Sequence, residues 1–183
     1  STAHLGDVLF HNGDIDYQIE SHGTLFVEKS VFDWCKGHVA TQTVRIGGKT
    51  EGVDLVLYCD RLDLAVMLNQ LGITRARGEG EVNGRIPVQY TDGRWLFNDG
   101  FLYSTPGESG TLNIPEADKW VTAVSANNPQ LAIAQAALED YEYNWARVRF
   151  NTEGEDLLLQ LEFNGRPASE IPFTYKRDVG FVR

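Results

Sequence analysis

The alternation of apolar and polar residues between Arg77 and Pro106 constrains this chain most, because period two suits a strand with one buried face and no helix. Val82, Ile86, Val88 and Tyr90 fall on one face. Thr91-Asp92-Gly93 then reverses the chain into Trp95, Phe97, Phe101 and Tyr103, so the stretch reads as a hairpin. Gly84 lies on the apolar side of the first strand, where a missing side chain lets another backbone or a ligand come close.

The flanking sequence extends the same pattern. Leu5 to Ile46 is strand-like, with turn signals at Asn12-Gly13-Asp14, Ser21-His22-Gly23 and Lys36-Gly37, and Val53, Leu55, Leu57 and Cys59 mark the next strand. A helix follows: Asp60 is placed to cap it, Asp63 lies in its first turn, and Leu64, Met67, Leu68 and Leu71 form one stripe before Gly72. A second helix is signalled by Asn128-Pro129 and the stripe Leu131, Ala134, Leu138 and Tyr141. Strands return at Tyr143 to Phe150, Leu157 to Phe163 and Ile171 to Tyr175, separated by turn signals at Asn151 to Gly154 and at Asn164-Gly165-Arg166-Pro167. Leu157, Leu159, Leu161 and Phe163 share one face of their strand. Consecutive strands with two short helices give a mainly β fold of the α+β kind: one unit over 1–183, a curved antiparallel sheet with the helices packed on or capping it.

Charge and motifs remove several classes of function. Sixteen Lys and Arg against 26 Asp and Glu leave a net charge of −10, which supplies no field for nucleic acid or an anionic membrane. The spacing Gly78-x-Gly80-x-x-x-Gly84 is followed by a strand where a dinucleotide fingerprint demands a helix, so no cofactor is expected. Ser104, Ser109 and Ser125 lack a nucleophile-elbow context, and the four histidines all lie within the first 38 residues, so no catalytic residue or metal site is expected. Arg147 and Arg149 are the one cationic pair fit for a dicarboxylate, and cross-strand ion pairing is their ordinary use. Cys35 and Cys59 either form a disulfide or remain two buried thiols. No stretch reaches the roughly 20 apolar residues of a membrane-spanning helix. A strand that begins almost at once, at Leu5, suggests a piece of a longer protein.

The wording of the hairpin carries a resemblance. Gly78-x-Gly80-x-x-x-Gly84-Arg85-Ile86-Pro87-Val88, then Gly93, Asp99-Gly100-Phe101-Leu102 and Thr105-Pro106-Gly107, resembles the C-terminal domain of bacterial YdbH-type proteins, whose old label is "dicarboxylate transport". The similarity covers Val53 to Phe173, and the first 50 residues by strand pattern. That family belongs with AsmA-like and TamB-like envelope proteins, long β-grooves that carry phospholipids between the inner and outer membranes of Gram-negative bacteria.

What the resemblance implies is an open β-groove in the periplasm, non-enzymatic, holding phospholipid acyl chains, with an inner-membrane anchor outside this piece. Its lining is expected to be Val82, Ile86, Val88, Trp95, Phe97, Phe101, Leu157, Leu159, Leu161 and Phe163. Some ten stacked strands at about 4.8 Å would make it roughly 50 Å long. The C-terminal strand with Ile171, Phe173 and Tyr175 is the expected edge for a small outer-membrane lipoprotein that adds strands. Two other readings stand beside this one: a closed β-rich protein-binding or scaffold domain of the cell envelope, whose apolar faces are ordinary core, and a dicarboxylate transport-associated domain.

Overall fold

Sustained alternation becomes strand throughout. The computed structural model describes residues 2–5, 8–20, 23–47, 52–115, 136–169, 174–176 and 180–182. In chain order these form β1 (Ala3–Leu5), β2 (Val8–Ile19), β3 (Leu25–Trp34), β4 (Gly37–Thr41), β5 (Val44–Ile46), β6 (Gly52–Asp63), α1 (Leu64–Gln70), β7 (Arg77–Glu79), β8 (Glu81–Thr91), β9 (Arg94–Phe97), β10 (Gly100–Ser104), β11 (Gly110–Asn113), β12 (Tyr141–Glu153), β13 (Asp156–Pro167), β14 (Thr174–Lys176) and β15 (Gly180–Val182). Residues 136–138 are helical as well, and the part of the second expected helix that precedes them lies outside the described residues.

The first thirteen strands make one antiparallel sheet, open and not closed into a barrel, while β14 and β15 pair only with each other among the described residues. Several short strands share a lane: β4 with β5, β7 with β8, and β9 with β10 and β11. Eight lanes therefore run in chain order from β2 to β13, and seven spacings of about 4.8 Å give a width of roughly 34 Å in place of the 50 Å expected from ten strands.

Register places one apolar row, running from β3 to β13, on a single face. The row runs Phe32, Val39, Cys59, Gly84, Leu102, Val148 and Leu161 through directly opposed pairs. Directly opposed residues project to the same side, so this row lies on a single inner face. Leu102, Val148 and Val39 are buried there, joined by Val82, Ile86, Val88 and Phe150. Irregularities in β2, β6 and β12 bend the lanes that carry them.

Helix α1 packs on the same face. Leu64, Met67 and Leu68 are fully buried on its stripe, and Leu71 is its C-cap, before Gly72 at φ +96° leaves the helix. Its cap is Asp63, whose Oδ1 accepts a hydrogen bond from Val66 N at 2.9 Å, and not Asp60, which lies in β6 opposite His38. The difference arises because β6 extends through a bulge at Asp60 and Arg61, the latter at φ +51°, so the helix starts one turn later. At the last turn, Trp34 Nε1 donates to Gln70 Oε1 at 2.6 Å, tying α1 to β3.

Other turn signals resolve in the same physical way. Asn12-Gly13-Asp14 is a bulge inside β2, with Asn12 at φ +50°, and Asn164 to Pro167 continues β13 against Glu142 and Tyr143. Tyr141 opens β12 and does not extend the second helix. Asp92 and Gly93, both at positive φ, make the tight hairpin turn that the sequence called for.

Candidate lipid-binding face

The two ends of the sheet meet around one cavity. Val8 and Phe10 of β2, Leu57 of β6, Ile86 of β8, Phe97 of β9, Phe150 of β12 and Leu157 of β13 all line a space of about 360 Å³, closed on one side by Trp34, Gln70, Leu71 and Gly72. Lanes some seven spacings apart along the sheet can share a space of that size only if the sheet curls, with its apolar face inside. The lining is almost wholly hydrocarbon and aromatic, which suits an alkyl chain and offers no charge to a dicarboxylate.

Toward α1 the inner face is filled. Leu62 opposes Val82, both buried, and α1 covers that level with Leu64, Met67 and Leu68. Away from α1 the same face emerges into solvent. Ile15, Tyr17 and Ile19 of β2 oppose Ser30, Val27 and Leu25, and Val27 and Leu25 in turn oppose Val44 and Ile46. Tyr17 is 59% exposed and Ile19 76%, unusual for large apolar side chains on the face that elsewhere forms the core. Tyr90 and Trp95, with ring centroids 4.7 Å apart, continue this level on β8 and β9.

The ten residues expected to line a groove therefore divide. Val82, Ile86 and Val88 are buried on the inner face, Val82 under α1 and Ile86 at the cavity. Trp95 and Phe97 are half-buried on it, as are Leu159, Leu161 and Phe163, which pack against the core. Leu157, 36% exposed, stands at the cavity mouth. Phe101 is on the opposite face. Asp99 at φ +50° shifts the alternation between β9 and β10, so that Leu102, not Phe101, points inward, fully buried. Sequence reasoning missed the β2 and β5 residues, although Ile15, Tyr17 and Ile19 alternate as plainly as any strand in the chain.

Between β9 and β12, which share no backbone ladder among the described residues, side chains make the link: Thr152 Oγ1 accepts from Phe97 N at 2.8 Å and, just past β9, Asn151 Oδ1 accepts from Asp99 N at 3.0 Å. These bonds keep the cavity wall continuous where backbone pairing lapses.

Two other expectations have definite outcomes. Cys35 and Cys59 are free, buried thiols, so the disulfide alternative is not the one formed. Cys35 occupies the β3–β4 turn, where its carbonyl accepts from Asp63 N at 2.8 Å, while Cys59 lies farther back along β6 opposite Val39. Burial pushes both thiols up to about 12, with Asp63 adding to the shift at Cys35. Arg147 and Arg149 both turn to Glu162 on the outer face. Of the expected docking edge, Tyr175 lies in β14 opposite Phe181, and Ile171 and Phe173 lie outside the described residues. Among the described residues no cluster of His, Cys, Asp and Glu could hold a metal ion, and no helix is long and apolar enough to cross a membrane.

A family model described as "YdbH-like: Intermembrane phospholipid transport protein YdbH" matches residues 2–169. The chain belongs to the YdbH-like family. The match begins at the first strand, so it reaches well before Val53, where the hairpin wording alone had placed the clear similarity. No curated protein and no solved structure matches the chain. Membership in the YdbH-like family links the curled, apolar-lined sheet to intermembrane phospholipid transport, and the family is a transport group.

Proposed function

We propose that this unit holds phospholipid acyl chains on the inner face of its curled sheet, as one non-enzymatic segment of a route between the inner and outer membranes of a Gram-negative bacterium. The observation that carries this reading is the apolar cavity between Phe10 and Leu157, on the same face as the exposed residues Ile15, Tyr17 and Ile19. Each CH₂ moved from water into such a space contributes about 0.8 kcal/mol, so an alkyl chain is held firmly without a specific contact, and neighbouring positions along it are nearly equivalent. Head groups remain at the wet mouth, and α1 forms the floor.

The protein works in the periplasm, with an inner-membrane anchor supplied by chain outside this piece. A small outer-membrane lipoprotein extends the structure by strand addition at the C-terminal end. The exposed long edge of β13, paired among the described residues only with β12, supports such an addition.

The filled level around Leu62, Val82 and Met67 favours a second reading, a scaffold domain whose inner face is ordinary core. Native mass spectrometry of protein purified without detergent separates the two. Bound phospholipid that disappears in Phe97→Asp and Leu159→Asp, with circular dichroism unchanged, supports the lipid reading; a lipid-free spectrum from the folded protein supports the scaffold.

A further inference from the structure

The outer face carries a feature that lipid carriage does not use. In the row Tyr58, Arg85, Phe101, Arg149, aromatic and cationic residues alternate across four paired strands, and Tyr103 and Arg147 oppose each other in the next row. The Arg85 guanidinium lies over the Phe101 ring at 5.4 Å from its centroid, the Arg147 guanidinium over Tyr103 at 5.8 Å, and the two rings meet edge to face at 5.3 Å. Tyr58, Tyr103 and Trp145 remain exposed at 37%, 43% and 42%.

We infer that this outer face is a docking surface for an acidic segment of a partner protein. The charge balance is local: Arg85, Arg147 and Arg149 face a single carboxylate, Glu162, which leaves 3 − 1 = +2 on a chain of net charge −10. At the flanks of this face, Asp60 pairs with Arg61 at 3.6 Å and Glu142 with Arg166 at 3.1 Å. Arg85 has no carboxylate partner among the described residues. Stacking on a ring leaves the N–H edge of a guanidinium free, and that edge takes a carboxylate in bidentate fashion. Exposed Tyr, Trp and Arg side chains are also the types that dominate binding energy at protein interfaces.

An extended polyanion such as a membrane surface would confront the remaining negative charge of the chain as well as the patch. A short acidic segment touches the patch alone, within a Debye length of about 8 Å.

The test uses fluorescein-labelled hexaglutamate, followed by anisotropy at low salt, with hexaserine as the neutral control. Saturable binding of hexaglutamate only, weakened about tenfold or more in the double variant Arg85→Gln/Arg149→Gln, is expected. Phe97→Asp, on the other face, should leave it unchanged. Absence of saturable binding by the folded protein, or binding indifferent to the two arginines, overturns the inference. So does arginine-dependent binding to vesicles containing phosphatidylglycerol without any to hexaglutamate, which would assign the patch to lipid.

Discussion

Phe10, on the first long strand, and Leu157, on the last, line the same cavity although about 34 Å of sheet separates their lanes. Width across the strands is therefore not the length of a lipid path, because the sheet turns that width into the wall around a chain. An apolar probe reports on such a space directly. Without detergent, the protein is expected to raise the fluorescence of N-phenyl-1-naphthylamine, and Leu157→Glu to weaken that binding about tenfold by placing a charge at the mouth. Equal probe binding by Leu157→Glu would remove the cavity as the site.

Gly84 and Leu102 face each other across β8 and β10, and a Cβ added to Gly84, at φ +157°, would overlap the Phe101 carbonyl oxygen. Backbone obstructs more rigidly than a side chain, so Gly84→Ala is expected to cost about 3 kcal/mol or more in urea unfolding. Leu102→Ala, which only empties buried space, should cost about 2–5 kcal/mol.

Asp63 caps α1 and also holds Lys36 Nζ at 2.7 Å. Asp63→Ala should lower stability by about 1 kcal/mol, the ordinary cost of a lost cap, while Asp60→Ala should stay within about 0.5 kcal/mol. Thermal melts of the two variants distinguish the caps, and equal losses would contradict the assignment.

The thiols of Cys35 and Cys59, raised from 9.0 to about 12 by burial, stay neutral in the folded protein. Iodoacetamide at pH 8 should leave both unmodified until urea unfolds the chain. The native state binds these protons more tightly than the unfolded chain does. Stability is therefore unaffected below about pH 9 and falls as pH rises from there toward 12. Rapid labelling of the folded protein would show that these positions open.

The β character, the order of strands and the hairpin at Asp92-Gly93 were legible because period-two alternation survives in any β context. The inward side of Val82, Ile86, Val88 and the Leu157-to-Phe163 run was legible for the same reason. Alternation alone puts Phe101 on the inner face, whereas a single residue at positive φ, Asp99, reverses the facing of the strand that follows it without a period-two signal. Asp60 reads as the cap from sequence because bulges have no strong sequence signal, and Asp60-Arg61 reads equally well as the end of a strand. Curling, which brings Phe10 to Leu157, depends on accumulated twist and several bulges, and no local window contains it.

Phe97 and Phe101 give the most direct test, since they are four residues apart on opposite faces of the sheet. A photo-crosslinking phenylalanine analogue is placed at each position in turn, in the protein expressed within its envelope context, and covalent adducts are read by mass spectrometry. The account requires phospholipid adducts at Phe97 and none above background at Phe101. Adducts at Phe101 with none at Phe97, or none at either in folded protein, would contradict a lipid path on the inner face.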